Sequence, residues 1–159
     1  MATMLVTYHS RGGNTKAMAE LIAEGASGVD GVDVALRAVG EVDVDSLEGY
    51  DALVMGSPTY YGLPASSIKR LLDESVAFHG SLEGKVGGAF ASSANIGGGN
   101  ETTILAILQA LLIHGMVVQG TSAGDHYGPV AIGEPDRRAK EQCKTYGRRV
   151  AELTRRLHG

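Results

Sequence analysis

The chain has 159 residues and a formal net charge of −4 at pH 7. This length is typical of one domain, and the mild negative charge argues against a nucleic-acid-binding surface. No apolar run approaches the roughly 20 residues needed to cross a bilayer. The single cysteine, Cys143, excludes an internal disulfide and a cysteine-based metal site. We therefore expect a single domain over residues 1–159 that is cytoplasmic, holds no metal and does not insert into a membrane.

Short β-rich runs alternate with helical patterns along the chain. The predicted strands cover Met4–Tyr8, Val32–Val39, Asp51–Gly56, Gly84–Ala91 and Met116–Gln119. Five strands that alternate with helices form a parallel sheet covered on both faces, and right-handed crossovers leave few ways to wind it. The expected strand order is 2-1-3-4-5, which brings the carboxyl ends of strands one, three and four side by side.

Four helices are predicted from apolar residues that recur with helical spacing. The residues of these apolar faces are Met18, Leu21, Ile22 and Gly25; Ile68, Leu71 and Leu72; Ile104, Leu105, Leu108, Leu111 and Leu112; and, within Arg138–Leu157, Tyr146, Val150, Leu153 and Leu157. The third of these faces is interpreted as strongly amphipathic. Pro64 is expected in the first turn of the second helix, and Gly120–Pro135 is interpreted as an irregular stretch.

A polar loop, Ser10-Arg11-Gly12-Gly13-Asn14-Thr15, follows the first strand and leads into a helix. Backbone N–H groups at a helix N-terminus can surround a dianion, the hydroxyls of Ser10 and Thr15 add donors, and glycine lets the main chain approach closely. The pattern therefore favours a phosphate monoester. The alternative is an ordinary strand–helix turn in which Asn14 or Thr15 is the N-cap. Lys16 is interpreted as a solvated residue of the first turn rather than a phosphate ligand.

Other phosphate-binding classes lack their defining residues in this chain. There is no G-x-x-x-x-G-K-[ST] P-loop and no G-x-G-x-x-G dinucleotide fingerprint. A response-regulator receiver needs carboxylates after the first and third strands, where this chain has Tyr8-His9 and Gly56-Ser57. A small tyrosine phosphatase needs a cysteine in the first loop, which contains none.

Two further loops are expected at the same edge of the sheet. The second, Ser57-Pro58-Thr59-Tyr60-Tyr61-Gly62, offers two aromatic rings that can stack on a flat heteroaromatic ligand. Alternatively, one tyrosine of the pair packs beneath the loop as core. The third, Ser92–Asn100, combines small residues with a glycine triplet whose N–H groups can donate to the edge of a flat ring. Its alternative interpretation is a mobile connector.

Together these residues resemble the flavodoxin family, and most closely its WrbA-type NAD(P)H:quinone oxidoreductases. The resemblance covers almost the whole chain, and its marks are the three loops, His114-Gly115-Met116 and Tyr127-Gly128. It implies a flavodoxin-like three-layer α/β sandwich that binds FMN non-covalently. The FMN-site positions that it implies are Ser10, Arg11, Gly12, Gly13, Asn14, Thr15, Pro58, Thr59, Tyr60, Tyr61, Gly62, Ser92, Ser93, Ala94, Asn95, Gly97, Gly98, His114 and Tyr127. From the sequence alone, His114 is interpreted as a histidine at the C-terminus of a helix, where the helix dipole satisfies it.

The chain also departs from the WrbA-type pattern. The link between Val39 and Tyr50 lacks the long insertion of those enzymes, and the third loop is one residue longer. The tryptophan that they carry near the substrate pocket is missing here, with only Phe78 or His79 in its neighbourhood. These departures bear on quinone specificity and on tetramer formation.

Two functions follow from the resemblance. As an enzyme, the protein would pass electrons from NAD(P)H through FMN to a quinone or similar small-molecule acceptor, and the FMN rather than an assigned side chain would carry the chemistry. As a carrier, it would shuttle electrons between redox proteins, although a charge of −4 is weak for electrostatic docking. The apolar helix surfaces are compatible with a homodimer or homotetramer. A flavin-free binding module would require three loops to match by chance.

Overall fold

A computed structural model describes all 159 residues of the chain. The strands are β1 (Ala2–Tyr8), β2 (Val32–Ala38), β3 (Ala52–Tyr60), β4 (Leu63–Pro64), β5 (Val86–Ser93), β6 (Val117–Val118) and β7 (Val130–Ile132). The helices are α1 (Asn14–Ser27), α2 (Ser66–Glu74), α3 (Asn100–Ile113) and α4 (Arg137–His158). Short 3-10 turns cover Val39–Glu41, Val44–Gly49 and Ser75–Phe78. Helices and strands therefore alternate as the apolar pattern predicts.

The central sheet is parallel and has the order β2-β1-β3-β5-β6. β5 and β6 correspond to the fourth and fifth predicted strands, because β4 and β7 lie off this path. The observed order is therefore the predicted order 2-1-3-4-5, and the predicted fold class is confirmed. β3 and β5 are buried along most of their length because helices cover both faces of the sheet. The carboxyl ends of β1, β3 and β5 consequently meet at one edge.

The fifth position of the sheet differs from the prediction because two separate strands occupy it. β6 pairs only with Val86 and Gly87, and β7 pairs with Ala91–Ser93 further along β5. The predicted strand Met116–Gln119 is thus too long, and the stretch interpreted as irregular contains β7. In the gap, the Tyr146 hydroxyl accepts a hydrogen bond of 2.9 Å from the backbone N–H of Ala89. A side chain of α4 therefore takes the place of a missing strand partner.

Two apolar cores hold the helices against the sheet. On one face, α1 and α4 pack on side chains such as Met4, Val54 and Phe90. On the other, α2 and α3 pack on side chains such as Leu53 and Met55. Successive residues of a strand point to opposite faces of the sheet, so alternate residues enter the two cores.

Three helix predictions need correction. Pro64 lies in β4, which pairs antiparallel with the end of β3, and α2 begins only after it, at Ser66. Leu105 and Leu112 of α3 are exposed rather than buried, because Thr103 and Ile107 occupy the core-facing positions beside Ile104 and Leu111. Leu157 is also exposed, because it lies in the last turn of α4, beyond the edge of the core.

No helix combines the length and the apolar character needed to cross a membrane.

Candidate functional site

A cleft of about 700 Å³ lies at the carboxyl edge of the sheet. This volume is within the usual range for small-molecule sites. The residues that line it are Ser10, Arg11, Gly12, Asn14, Thr15, Pro58, Thr59, Tyr60, Ser92, Ser93, Ala94 and Gly133. They come from the ends of β1, β3, β5 and β7, the position where parallel α/β sheets bind ligands.

The start of α1 faces this cleft without a side-chain cap. Its N-cap residue is Gly13, in the left-handed conformation with φ 98°, and no side chain accepts from the first turn. The alternative interpretation, with Asn14 or Thr15 as N-cap, is therefore wrong. Ser10 Oγ accepts a hydrogen bond of 3.1 Å from the N–H of Gly13, which closes the loop on itself. The free N–H groups of the first helical turn and the helix dipole together favour an anion.

A buried hydroxyl pair joins the first loop to the third. Thr15 Oγ1 and Ser92 Oγ lie 2.9 Å apart, and both side chains are buried. The first residues of α1 are thereby held against the end of β5. The two walls of the cleft are fixed relative to each other before any ligand enters.

The second loop forms a hairpin rather than an irregular connection. β3 continues to Tyr60, and the turn contains Tyr61 with φ 50° and Gly62 with φ 78°. Tyr60 lines the cleft and is 41% exposed, whereas Tyr61 is fully exposed. The expectation that one tyrosine packs as core is therefore wrong, because the hairpin projects both rings beyond the end of the sheet.

Tyr60 is supported from behind by His9. The two rings meet edge to face with their centroids 6.1 Å apart. His9 Nδ1 in turn lies 2.9 Å from the hydroxyl of Ser67 in α2. This support directs the ring of Tyr60 at the edge of the cleft, where a planar ligand can stack on it.

The third loop is held by hydrogen bonds. Asn100 Nδ2 donates to Ser93 Oγ, which donates to the carbonyl of Asn95. Gly99, with φ 104°, approaches the hairpin so closely that a Cβ there would lie 2.7 Å from Gly62 Cα. Thr102 Oγ1 also donates to the carbonyl of Gly62 over 2.7 Å. The second and third loops are therefore packed together, which does not fit the interpretation as a mobile connector.

The structure brings most of the predicted site residues to this cleft. The predicted residues that line it are Ser10, Arg11, Gly12, Asn14, Thr15, Pro58, Thr59, Tyr60, Ser92, Ser93 and Ala94. Gly13, Tyr61, Gly62, Asn95, Gly97 and Gly98 belong to the surrounding loops without lining it. Sequence reasoning missed Gly133, whose N–H donates to the carbonyl of Ser93. The signal for it was the apolar run Val130–Ile132, which ends at that glycine.

His114 and Tyr127 are not brought to the cleft. His114 follows the last residue of α3, a helix of 14 residues and about 20 Å that starts at the cleft and runs away from it. There its Nε2 lies 2.8 Å from Ser75 Oγ, and its Nδ1 is buried without a partner. Burial, and secondarily the neighbouring His79, lowers the pKa of His114. Tyr127 lies half exposed in the segment between β6 and β7.

A family model and a curated relative both match this chain. The family model described as flavodoxin matches residues 6–92, which include the first loop, the second loop and the end of β5. The chain is 42% identical to a flavodoxin of Aquifex aeolicus over 96% of its own length and 86% of that protein. The chain belongs to the flavodoxin family.

A second curated relative is named as an enzyme. The chain is 34% identical to an NAD(P)H dehydrogenase (quinone) of Archaeoglobus fulgidus, over 99% of this chain and all of that protein. Among solved structures, it is similar to a WrbA-like flavodoxin protein from Agrobacterium tumefaciens, with a TM-score of 0.84, 32% identity and 99% of both chains covered. The similar proteins therefore include some named as flavodoxins and one named as a quinone-reducing dehydrogenase.

Proposed function

We propose that the chain binds FMN in the cleft at the carboxyl edge of the sheet and passes electrons from NAD(P)H through it to a quinone or similar acceptor. The observation that carries the proposal is the uncapped start of α1 at the bottom of a cleft lined by three loops. Bound FMN would supply the hydride and electron chemistry, and the protein would bind, orient and shield it.

The phosphate end of FMN fits the first loop. The amides of the first turn of α1 have no capping side chain, and Ser10, Arg11 and Thr15 line the same cleft. Amide donors, the helix dipole and one guanidinium suit a dianion. No carboxylate lines the cleft, so nothing there would repel a phosphate.

The ring end of FMN fits between the second and third loops. Tyr60 offers a ring for stacking, and Ser92, Ser93 and Ala94 offer backbone and hydroxyl groups close to a ring edge. Gly62 and Gly99 pack together where these two walls meet. The proposed site does not include His114 or Tyr127, since neither lines the cleft.

A second candidate function is electron transfer between redox proteins. It is favoured by the 42% identity to the Aquifex aeolicus flavodoxin, which exceeds the 34% identity to the quinone dehydrogenase. The short link between β2 and β3, and the fully exposed ring of Tyr61 beside the cleft, also suit a protein partner better than an enclosed substrate pocket.

Anaerobic mixing of the FMN-loaded protein with NADH or NADPH distinguishes the two functions. The enzyme predicts prompt loss of the visible flavin absorbance, followed by its return when a quinone is added. The carrier predicts no loss with either nucleotide and full loss with dithionite or a partner reductase. Protein that takes up no FMN during reconstitution would contradict both.

A further inference from the structure

A second cleft lies on the other side of the loop that follows β1. Its volume is about 330 Å³, and its lining residues are Tyr8, His9, Ser10, Arg11, Gly13, Lys16, Ala38, Val39 and Gly40. Ser10 and Arg11 line both clefts. The two clefts therefore adjoin across this loop, and a ligand that crosses it enters both.

The second cleft is positively charged in a chain whose net charge is −4. Arg11 and Lys16 line it, and no carboxylate does. Lys16 Nζ lies 3.9 Å from Glu20, with both side chains more than half exposed. An exposed pair at that distance contributes little, so Lys16 remains available to an anion. Glu41, the other nearby acid, is engaged by the backbone N–H of Ala38.

The rest of the second cleft is suited to a nucleoside. Tyr8 and Val39 are half-buried and present aromatic and aliphatic surface to it. His9 lines this cleft and also contacts Tyr60, which lines the first cleft. A cation pair beside an aromatic surface matches a phosphorylated ribose that carries a purine base.

We propose that the second cleft binds the 2′-phosphoadenosine end of NADPH, so that Lys16 and Arg11 select NADPH over NADH. The inference rests on the proposed function, in which the nicotinamide end reaches the ring of FMN in the first cleft. Lys16 is the diagnostic residue, because Arg11 lines both clefts and its replacement would disturb FMN as well. NADH has no 2′-phosphate and leaves Lys16 without this partner.

The test is calorimetric titration of the FMN-loaded protein with adenosine 2′,5′-bisphosphate, which carries the 2′-phosphate but cannot reduce a flavin. Replacement of Lys16 by glutamine should weaken this binding about tenfold or more, the loss expected for a hydrogen bond to a charged group. Lys69→Gln is the matched control, because Lys69 also forms an exposed i,i+4 pair, with Asp73, and lines neither cleft. The control should bind the bisphosphate as the wild type does.

Three results would overturn this assignment. They are absence of bisphosphate binding by the wild type, equal binding by Lys16→Gln, and competition by inorganic phosphate as effective as that of the bisphosphate.

The failure of the proposed function can be distinguished from the failure of the cleft assignment. If bisphosphate binding depends on Lys16 but neither NADH nor NADPH reduces the flavin, the ligand assigned to the second cleft is supported and the proposed enzymatic activity is wrong. If NADPH and NADH reduce the flavin equally in wild type and Lys16→Gln, the cleft assignment is wrong and the enzyme stands.

Discussion

Two hydroxyl side chains flank the uncapped start of α1. Thr15 is buried against Ser92, and Ser10 accepts from the amide of Gly13. If the FMN phosphate binds there, replacing both Ser10 and Thr15 by alanine should weaken FMN by about 1–3 kcal/mol, the range for lost hydrogen bonds to a charged group. Quenching of FMN fluorescence on titration measures this.

The control for that experiment lies on the same helix. Ser27→Ala removes an exposed hydroxyl at the far end of α1 and should leave the FMN affinity at the wild-type value. Urea unfolding of the flavin-free double variant separates lost binding from lost stability. An unchanged affinity in a folded double variant would mean that the phosphate binds elsewhere.

His114 should make stability depend on pH. Burial, and secondarily the neighbouring His79, lowers the pKa of His114 in the folded chain below its ordinary value of 6.5. Ser75 Oγ donates to the carbonyl of Leu72 and therefore accepts from His114 Nε2, which leaves Nδ1 unprotonated and without a partner. Well above pH 6.5, His114 binds no proton in either the folded or the unfolded chain. As the pH falls through that value, the unfolded chain binds one first, and stability decreases.

The measurement is the free energy of unfolding in urea at about pH 7.5 and about pH 5.5. The loss between these values should be smaller in His114→Gln than in the wild type, because glutamine does not titrate. Equal losses in wild type and His114→Gln would contradict the low pKa.

At the residue scale, the sequence predicted which residues line the cleft better than it predicted the position of His114. Ser10, Thr59 and Ser92 all follow or end strands, so strand order alone assembles them. His114 was assigned by resemblance, yet the predicted topology already placed it at the opposite edge, since α3 starts at the third loop and runs back. The exposure of both tyrosines could not be predicted, because it depends on the hairpin that β4 completes.

At the element scale, the fifth position of the sheet shows what apolar patterning omits. β6 has only two residues and β7 three, so neither gives a periodic signal. Between them, the edge of β5 is completed by groups distant in sequence. The carbonyl of Pro129 accepts from the N–H of Ala91, and Tyr146 accepts from the N–H of Ala89. Only the folded chain brings these partners together.

Tyr146→Phe tests this replacement of a strand by a side chain. The substitution leaves the buried N–H of Ala89 without an acceptor and should lower the free energy of unfolding by about 1–3 kcal/mol. Burial raises the pKa of Tyr146 to about 12, so the hydroxyl stays neutral and the loss should not vary between neutral and mildly alkaline pH. Urea unfolding at two pH values measures both quantities. Tyr61→Phe, which changes a fully exposed hydroxyl, should have almost no effect on stability.

At the scale of the whole molecule, the cleft is held in place without a ligand. Helices pack on both faces of the sheet, the pair Thr15–Ser92 joins the first and third loops, and Gly62 contacts Gly99 where the second and third meet. Binding therefore requires little ordering of the chain, which lowers its entropic cost. A ligand that binds the folded chain but not the unfolded one raises the free energy of unfolding by an amount set by its concentration and dissociation constant.

The last prediction concerns the melting temperature of the flavin-free protein when FMN or riboflavin is added. A ligand at 100 times its dissociation constant adds about 2.7 kcal/mol to stability, which raises the melting temperature of a chain this size by about 5–10 °C. FMN should produce such a shift in the flavin-free protein. Riboflavin, which has the same ring but no phosphate, should produce a much smaller shift at the same concentration, because the amides at the start of α1 then have no anion to bind. An equal shift with riboflavin would mean that the ring alone carries the affinity and that the first loop does not hold the phosphate.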